Sequence, residues 1–197
     1  MIDQILAAPI IPKGHKSNRW GALRFAAVNV GKSGPWLEFG VYQGRSARWL
    51  LRHLPVDGQL HLFDSFDGLP RAWEDRLPQG HFALDRKGRP RFNDRRVRMH
   101  VGLFADTLPE YRKASRKAPA LVHIDCDLYE STRDVLAGIG SLIGPGCILA
   151  FDELYNYPGY ESHEYRALIE WLDQTGLQVR VLGRTAKRQV VLRVEDS

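Results

Sequence analysis

The stretch from Trp36 to Leu54 constrains the fold more than any other part of this chain. A short apolar run, Trp36, Leu37 and Phe39, is followed by two glycines four residues apart, Gly40 and Gly44. An amphipathic helix is then expected over about 45–54, stopped by Pro55. The pattern is strand, tight turn, helix. Glycine accepts positive φ and lets a second backbone or a ligand come close. The unpaired N–H groups of the helix start, around Ser46, favour an anionic or strongly polar ligand group. A second apolar run, Leu60 to Phe63, ends in Asp64, twenty residues after Gly44. An acid at that separation is placed to accept hydrogen bonds from a ribose, so the pair points to a nucleoside cofactor.

Alternation of short apolar strands with helical stretches continues along the chain. Strands are expected at 97–101, 120–124 and 147–151. Helices are expected at 16–30, from Ser131 as N-cap with the stripe Val135, Leu136, Ile139, Leu142 and Ile143, and at 162–174. Two last strands, 178–182 and 189–194, form a hairpin about the turn 183–188. Residues 1–33 read as an N-terminal helical extension, although Pro9, Pro12 and Gly14 discourage a long helix before residue 15. This order predicts an α/β domain over 1–197: a central, mostly parallel seven-stranded sheet, helices on both faces and a C-terminal antiparallel hairpin.

The net charge of +5 would suggest a nucleic-acid partner if it were spread over a face. It is not. Residues 71–99 carry nine Arg or Lys and four acids, whereas the rest of the chain holds nineteen of each sign. Within that segment, residues 71–95 have no steady period and read as a basic lid or acceptor loop. It could steer an acidic substrate, or be a solvated loop. Nucleic acid is not the expected partner. No apolar run reaches the length of a membrane span. Cys126 and Cys147 are expected at opposite ends of the sheet as reduced core residues, which suits the cytoplasm.

Ligands of such sheets sit at the carboxyl ends of the strands. That edge gathers Glu38 and Gly40, Asp64, Gly102, Asp125 and Asp127, and Asp152 and Glu153. Neighbouring carboxylates repel unless they are protonated or bridged by a cation. Oxygen-only ligands suit Mg²⁺, Ca²⁺ or Mn²⁺, so a divalent ion is expected there. His123 reads as a core residue; Tyr42 and Phe104 could pack on the cofactor or in the core; and His163 could meet the acceptor or start its helix.

Four strings, Glu38 to Gly44, Asp64 to Pro70, Thr107 to Pro109 and His123 to Thr132, resemble the macrocin O-methyltransferase (TylF/MycF-like) family over about residues 34–170. The resemblance implies a Rossmann-like class I fold, S-adenosylmethionine (SAM) as methyl donor and Mg²⁺ assistance. It also implies a hydroxyl of a sugar or natural-product-like small molecule as acceptor. Carried over by position, Glu38, Gly40 and Gly44 hold the methionine end of SAM, with Tyr42 and Ser46 on the same turn. Asp64 takes the ribose with Ser65 beside it. Apart from the resemblance, Gly102 and Phe104 are candidate cofactor neighbours from their place after the third strand. Asp125 is base and metal ligand. Asp152 and Glu153 complete the metal site, Glu153 standing where the family has a second aspartate. A homodimer is compatible with the chain. Two other classes compete: a glycosyltransferase holding a nucleotide-sugar and Mn²⁺ through Asp125-Cys126-Asp127, and a SAM-binding, RNA-associated protein using residues 71–99. A catalytically silent cofactor-binding subunit is a third. The glycosyltransferase reading leaves Gly40, Gly44 and Asp64 without a task.

Overall fold

The computed structural model describes residues 1–14, 17–73 and 77–196. In chain order these form α1 (Ile2–Ala7), α2 (Asn18–Val28), β1 (Trp36–Phe39), α3 (Arg45–Leu51), β2 (Leu60–Asp64), β3 (Val97–Val101) and α4 (Phe104–Ala114). There follow β4 (Leu121–Ile124), α5 (Tyr129–Ile139), β5 (Ile148–Phe151), α6 (Glu164–Thr175), β6 (Gln178–Arg184) and β7 (Val190–Glu195). The sheet runs β3-β2-β1-β4-β5-β7-β6. All neighbours are parallel except β7, which is antiparallel to both β5 and β6. The expected sheet and hairpin are therefore present.

Alternation along each strand divides the core. Leu37, Phe39, Val122, Ile124, Leu149 and Phe151 face α4, α5 and α6, against Leu108, Leu136, Ile139 and Leu168. Trp36, Leu60, Leu62, Leu121 and Ile148 face α2 and α3, against Leu23, Ala26, Ala47 and Leu50. β1 and β4 lie at the centre, buried at all eight of their positions, and their continuous apolar character follows from being covered on both faces. The exception is a cross-strand pair: Glu38 and His123 stand side by side in register, both fully enclosed, with Nδ1 of His123 3.0 Å from Oε1 of Glu38. Burial pushes the His123 imidazole down, but its bond to Glu38 and the nearby acids raise it on balance.

Several boundaries differ from the sequence reading. α3 ends at Leu51 and α2 starts at Asn18, the expected start at Lys16 lying outside the described residues. Residues 104–114 form a helix where the sequence reading gives none, despite Pro109 inside it. The amphipathic side, Thr107, Leu108 and Tyr111, packs on the sheet, and that burial outweighs the one backbone hydrogen bond that proline removes. α5 begins at Tyr129 with Leu128 as N-cap, so Ser131 lies inside the helix. The cause is a tight turn: Asp127 has φ 62° and the Leu128 N–H donates to the Cys126 carbonyl at 2.6 Å. β6 runs on to Arg184 through a bulge at 181/183, which moves the hairpin turn toward Thr185–Gln189.

Candidate active site

A cavity of about 640 Å³ opens at the carboxyl edge of β1, β2, β3 and β4, the position such sheets reserve for ligands. Its size falls in the range of roughly 300–1,000 Å³ typical of small-molecule sites. At one end stand Asp64 and Ser65 after β2, with Gly102, Leu103 and Phe104 after β3. At the other stand Asp125, Asp127 and Glu153. Gly40, Tyr42 and Ser46 form the wall between, and Trp73, Gly80 and Phe82 close the top.

Asp64 organises the first end. Its Oδ2 accepts from the N–H groups of Val41 (2.7 Å) and Tyr42 (2.8 Å), and Oδ1 from that of Phe66 (2.8 Å). The carboxylate thus fixes the turn after β1, where Tyr42 takes φ 47°, and still has acceptor capacity toward the cavity. Gly40 is required by its surroundings: its φ is 87°, and a Cβ there would lie 1.9 Å from the Asp125 carbonyl oxygen. Gly102 closes on Asp64 through its N–H to the Asp64 carbonyl at 3.1 Å, and Phe104 packs edge-on against Phe39. Ser65 also accepts from the Asp67 N–H.

Two residues of the expected cofactor turn do not line the cavity. Glu38 is committed to His123 inside the sheet. Gly44 caps α3 with φ 71° beneath Pro90 and Phe92. The basic segment is also resolved by location. Arg96 is held by Asp94, Arg71 by Glu130 and Arg89 lies over the Phe66 ring. Within 77–95 the cavity wall is made by uncharged residues, Gln79, Gly80 and Phe82.

At the acidic end the expected divalent site is not formed as the side chains stand. Arg19, from the first turn of α2, sits between the carboxylates. Its Nη2 donates to Oδ2 of Asp152 at 2.5 Å, and its Nη1 lies 3.2 Å from Oδ2 of Asp125. Glu153 instead takes Nη1 of Arg188 at 2.9 Å from the β6–β7 turn. Among the described residues no three His, Cys, Asp or Glu side chains converge as a metal-binding set. Two guanidinium groups, those of Arg19 and Arg188, lie among these acids. Burial pushes the Asp125 carboxyl up to about 7, against the pull of Arg19, while the charges of Asp125 and Asp152 hold Arg19 above its ordinary range. Burial and neighbouring acids also raise Asp127, Glu153 and Glu164.

Sequence reasoning missed Arg19, Arg188 and Glu164, whose Oε2 accepts the Glu153 N–H at 3.2 Å. His123 is the core residue expected. His163 is the N-cap position of α6, buried beside Trp73 and Tyr157 and outside the cavity wall. Cys126 and Cys147 are unbridged and buried.

Residues 37–154 match the family model described as "Methyltransferase domain". The chain belongs to this methyltransferase family. It is 30% identical to the 8-demethyl-8-(2,3-dimethoxy-alpha-L-rhamnosyl)-tetracenomycin-C 4'-O-methyltransferase of Streptomyces olivaceus, over 80% of this chain and 69% of that protein. It is 30% identical to the mycinamicin III 3''-O-methyltransferase of Micromonospora griseorubida, over 72% of this chain and 63% of that one. The solved calicheamicin methyltransferase superposes with a TM-score of 0.73 at 27% identity, covering 92% of this chain and 80% of its own. The chain thus spans about three fifths to two thirds of the length of the curated relatives it matches. The class is that of the SAM-dependent O-methyltransferases, TylF/MycF-like as the sequence resemblance implied. Among the described residues no helix is long and apolar enough to cross a membrane.

Proposed function

We propose that this chain transfers the methyl group of SAM to a hydroxyl of a sugar or of a similarly hydroxylated small molecule in the cytoplasm. The observation that carries the reading is the single cavity joining Asp64 to Asp125 along the sheet edge. SAM would lie with its ribose hydroxyls on Asp64 and its adenine toward Leu103 and Phe104. Its sulfonium would approach Gly40, which lines the cavity between Asp64 and Asp125. The acceptor hydroxyl then meets Asp125. Transfer is an in-line displacement: the methyl carbon leaves sulfur, bonds to the acceptor oxygen, and S-adenosylhomocysteine departs. The protein contributes chiefly by orienting the two reactants. Asp125 takes the hydroxyl proton as the new bond forms, a role suited to a carboxyl whose affinity for protons is raised toward neutral pH.

Residues 77–84 serve as a lid in this reading. Phe82 lies edge-on over Tyr42 with ring centroids 5.2 Å apart, and Leu69, Gly80 and His81 are tied by backbone hydrogen bonds. Mg²⁺ is not built into the mechanism, because Arg19 stands between two of the three carboxylates expected to hold it. The test is transfer of radiolabelled methyl from SAM to a panel of free and nucleotide-linked deoxysugars and phenols. An O-methylated sugar product that falls about 100-fold or more in Asp125→Asn supports the reading. Methylation only of nitrogen or carbon sites, or an unaffected variant, would refute it.

A further inference from the structure

We infer that Arg19 is a built-in replacement for the divalent cation of this site: it holds Asp125 and Asp152 in the working arrangement and keeps a metal ion out. The inference rests on the active-site reading above for its catalytic consequence, but not for its occupancy claim.

Three observations carry it. First, Arg19 is aimed into the acidic end from another part of the chain, reaching carboxylates 106 and 133 residues away. Its planar fork engages Asp125 and Asp152 together, with Nη2 also 3.4 Å from Oδ1 of Asp125. A guanidinium supplies such paired donors in fixed geometry, which a lysine ammonium does not. Second, these carboxylates have little freedom to turn elsewhere. Asp152 is 2% exposed, and the backbone N–H groups of Asp125 and Asp152 are bonded to the carbonyls of Phe39 (2.9 Å) and Ile124 (2.9 Å). Third, the remaining expected ligand, Glu153, is claimed by Arg188, so two arginines serve three carboxylates. A small dication demands near-ideal oxygen coordination at about 2.0–2.1 Å. With a guanidinium already among these oxygens, such an ion would meet a like charge at close range and find part of their lone pairs taken.

Arg19 is a positioning residue. It acts through Asp125, contacting both of its carboxylate oxygens from the cavity wall, where the arginine side chain is 37% exposed. The acceptor hydroxyl then loses its proton to Asp125 without a metal ion on the oxygen.

The experiment uses Mn²⁺ as the probe, its free concentration read by electron paramagnetic resonance, on the native chain, Arg19→Met and Arg19→Lys. Arg19→Met keeps an unbranched side chain and loses the charge. The native chain should bind no Mn²⁺ at millimolar concentration. Arg19→Met should gain one site tighter than native by about 10-fold or more, and that site should be lost again in Arg19→Met/Asp152→Asn. Arg19→Lys retains a positive charge and should stay closed, which separates exclusion of the ion from general disruption. Methyl transfer by the native chain should be equal in EDTA and in Mg²⁺, whereas Arg19→Met should lose about 100-fold in kcat and recover about 10-fold with Mg²⁺. Tight Mn²⁺ binding by the native chain, abolished by Asp152→Asn, would overturn the inference. So would an Arg19→Met variant that remains folded, by circular dichroism, and binds no ion. Loss of all methyl transfer by the native chain would sink the functional reading, while the Mn²⁺ result still decides the role of Arg19.

Discussion

Replacing Gly40 by alanine tests the construction of the site at its narrowest point. Gly40 joins β1 to the cofactor turn at φ 87°, with its N–H on the Phe63 carbonyl at 3.0 Å. An added Cβ would stand 1.9 Å from the Asp125 carbonyl oxygen and 2.7 Å from its carbon, where real Cβ contacts stay beyond 3.0 Å. That obstacle is backbone, pinned in turn by the Asp125 N–H to the Phe39 carbonyl at 2.9 Å. Relief therefore requires β1 and β4 to part by about 1 Å at their carboxyl ends. Positive φ costs a non-glycine residue about 1–2 kcal/mol. Forcing a methyl into a packed region adds about 1–3 kcal/mol, and a strand-end hydrogen bond weakened by the separation adds about 1 kcal/mol. The expected loss is about 3–6 kcal/mol, against a total stability of roughly 5–15 kcal/mol for a domain. At this length, each kcal/mol is worth about 2–4 °C in Tm. Thermal unfolding of Gly40→Ala should therefore show a fall of about 6–24 °C, and urea unfolding the matching loss, with Gly31→Ala as control. A Cβ at Gly31 meets nothing within 4 Å, so the control should stay within about 0.5 kcal/mol. A Gly40→Ala variant within about 1 kcal/mol of native would refute the claim that this close approach of two backbones builds the site.

Other outcomes follow from the same geometry. His61 and His100 share a 3.0 Å hydrogen bond under Tyr111, and burial, with His100 and Arg98 adding to it, lowers His61 to about 4. The unfolded chain therefore takes up a proton near pH 6.5 that the folded chain refuses until about pH 4. Stability should fall across that window by about 2–3 kcal/mol more in the native chain than in His61→Gln, by urea unfolding at each pH. An identical slope in both would contradict the assignment. Cys147 is pushed up to about 12 by burial and Cys126 is also raised well above its usual value. Neither should react with a thiol reagent at neutral pH until urea unfolds the chain, and rapid labelling of the native state would count against their burial. Arg86 and Lys87 are exposed in the loop that carries Phe82. Tryptic cleavage there should slow when S-adenosylhomocysteine and acceptor are both present, and an unchanged rate would remove the lid from the account.

Much of this is legible in the sequence. β1, Gly40 and Asp64 announce themselves because their chemistry is local: an apolar run fully buried in a parallel sheet, a turn needing positive φ, and an acid at the next strand end. α4 escaped because Pro109 and Gly102 are local breakers, and only packing of Leu108 and Tyr111 on the sheet overrides them. The start of α5 escaped because a non-glycine residue, Asp127, adopts the left-handed conformation. At the acidic end the sequence states the problem correctly, since clustered carboxylates need a cation. It does not say which cation. Arg19 lies in a helix whose visible pattern is Trp20, Leu23 and Ala27, and nothing near it in the chain marks a contact with Asp152 across 133 positions. Glu38 shows the converse: an acid in the expected place whose partner, His123, is fixed by strand register rather than by any ligand.

The proposed function puts the nucleoside of SAM in the cavity between Asp64 and Asp125. Calorimetric titration with S-adenosylhomocysteine measures it directly on the native chain and on Asp64→Asn. The expected result is one site of micromolar affinity, weakened about 10- to 100-fold in the variant by loss of a charged acceptor for the ribose hydroxyls. No heat of binding by the native chain, or equal affinity in a folded Asp64→Asn, would contradict it.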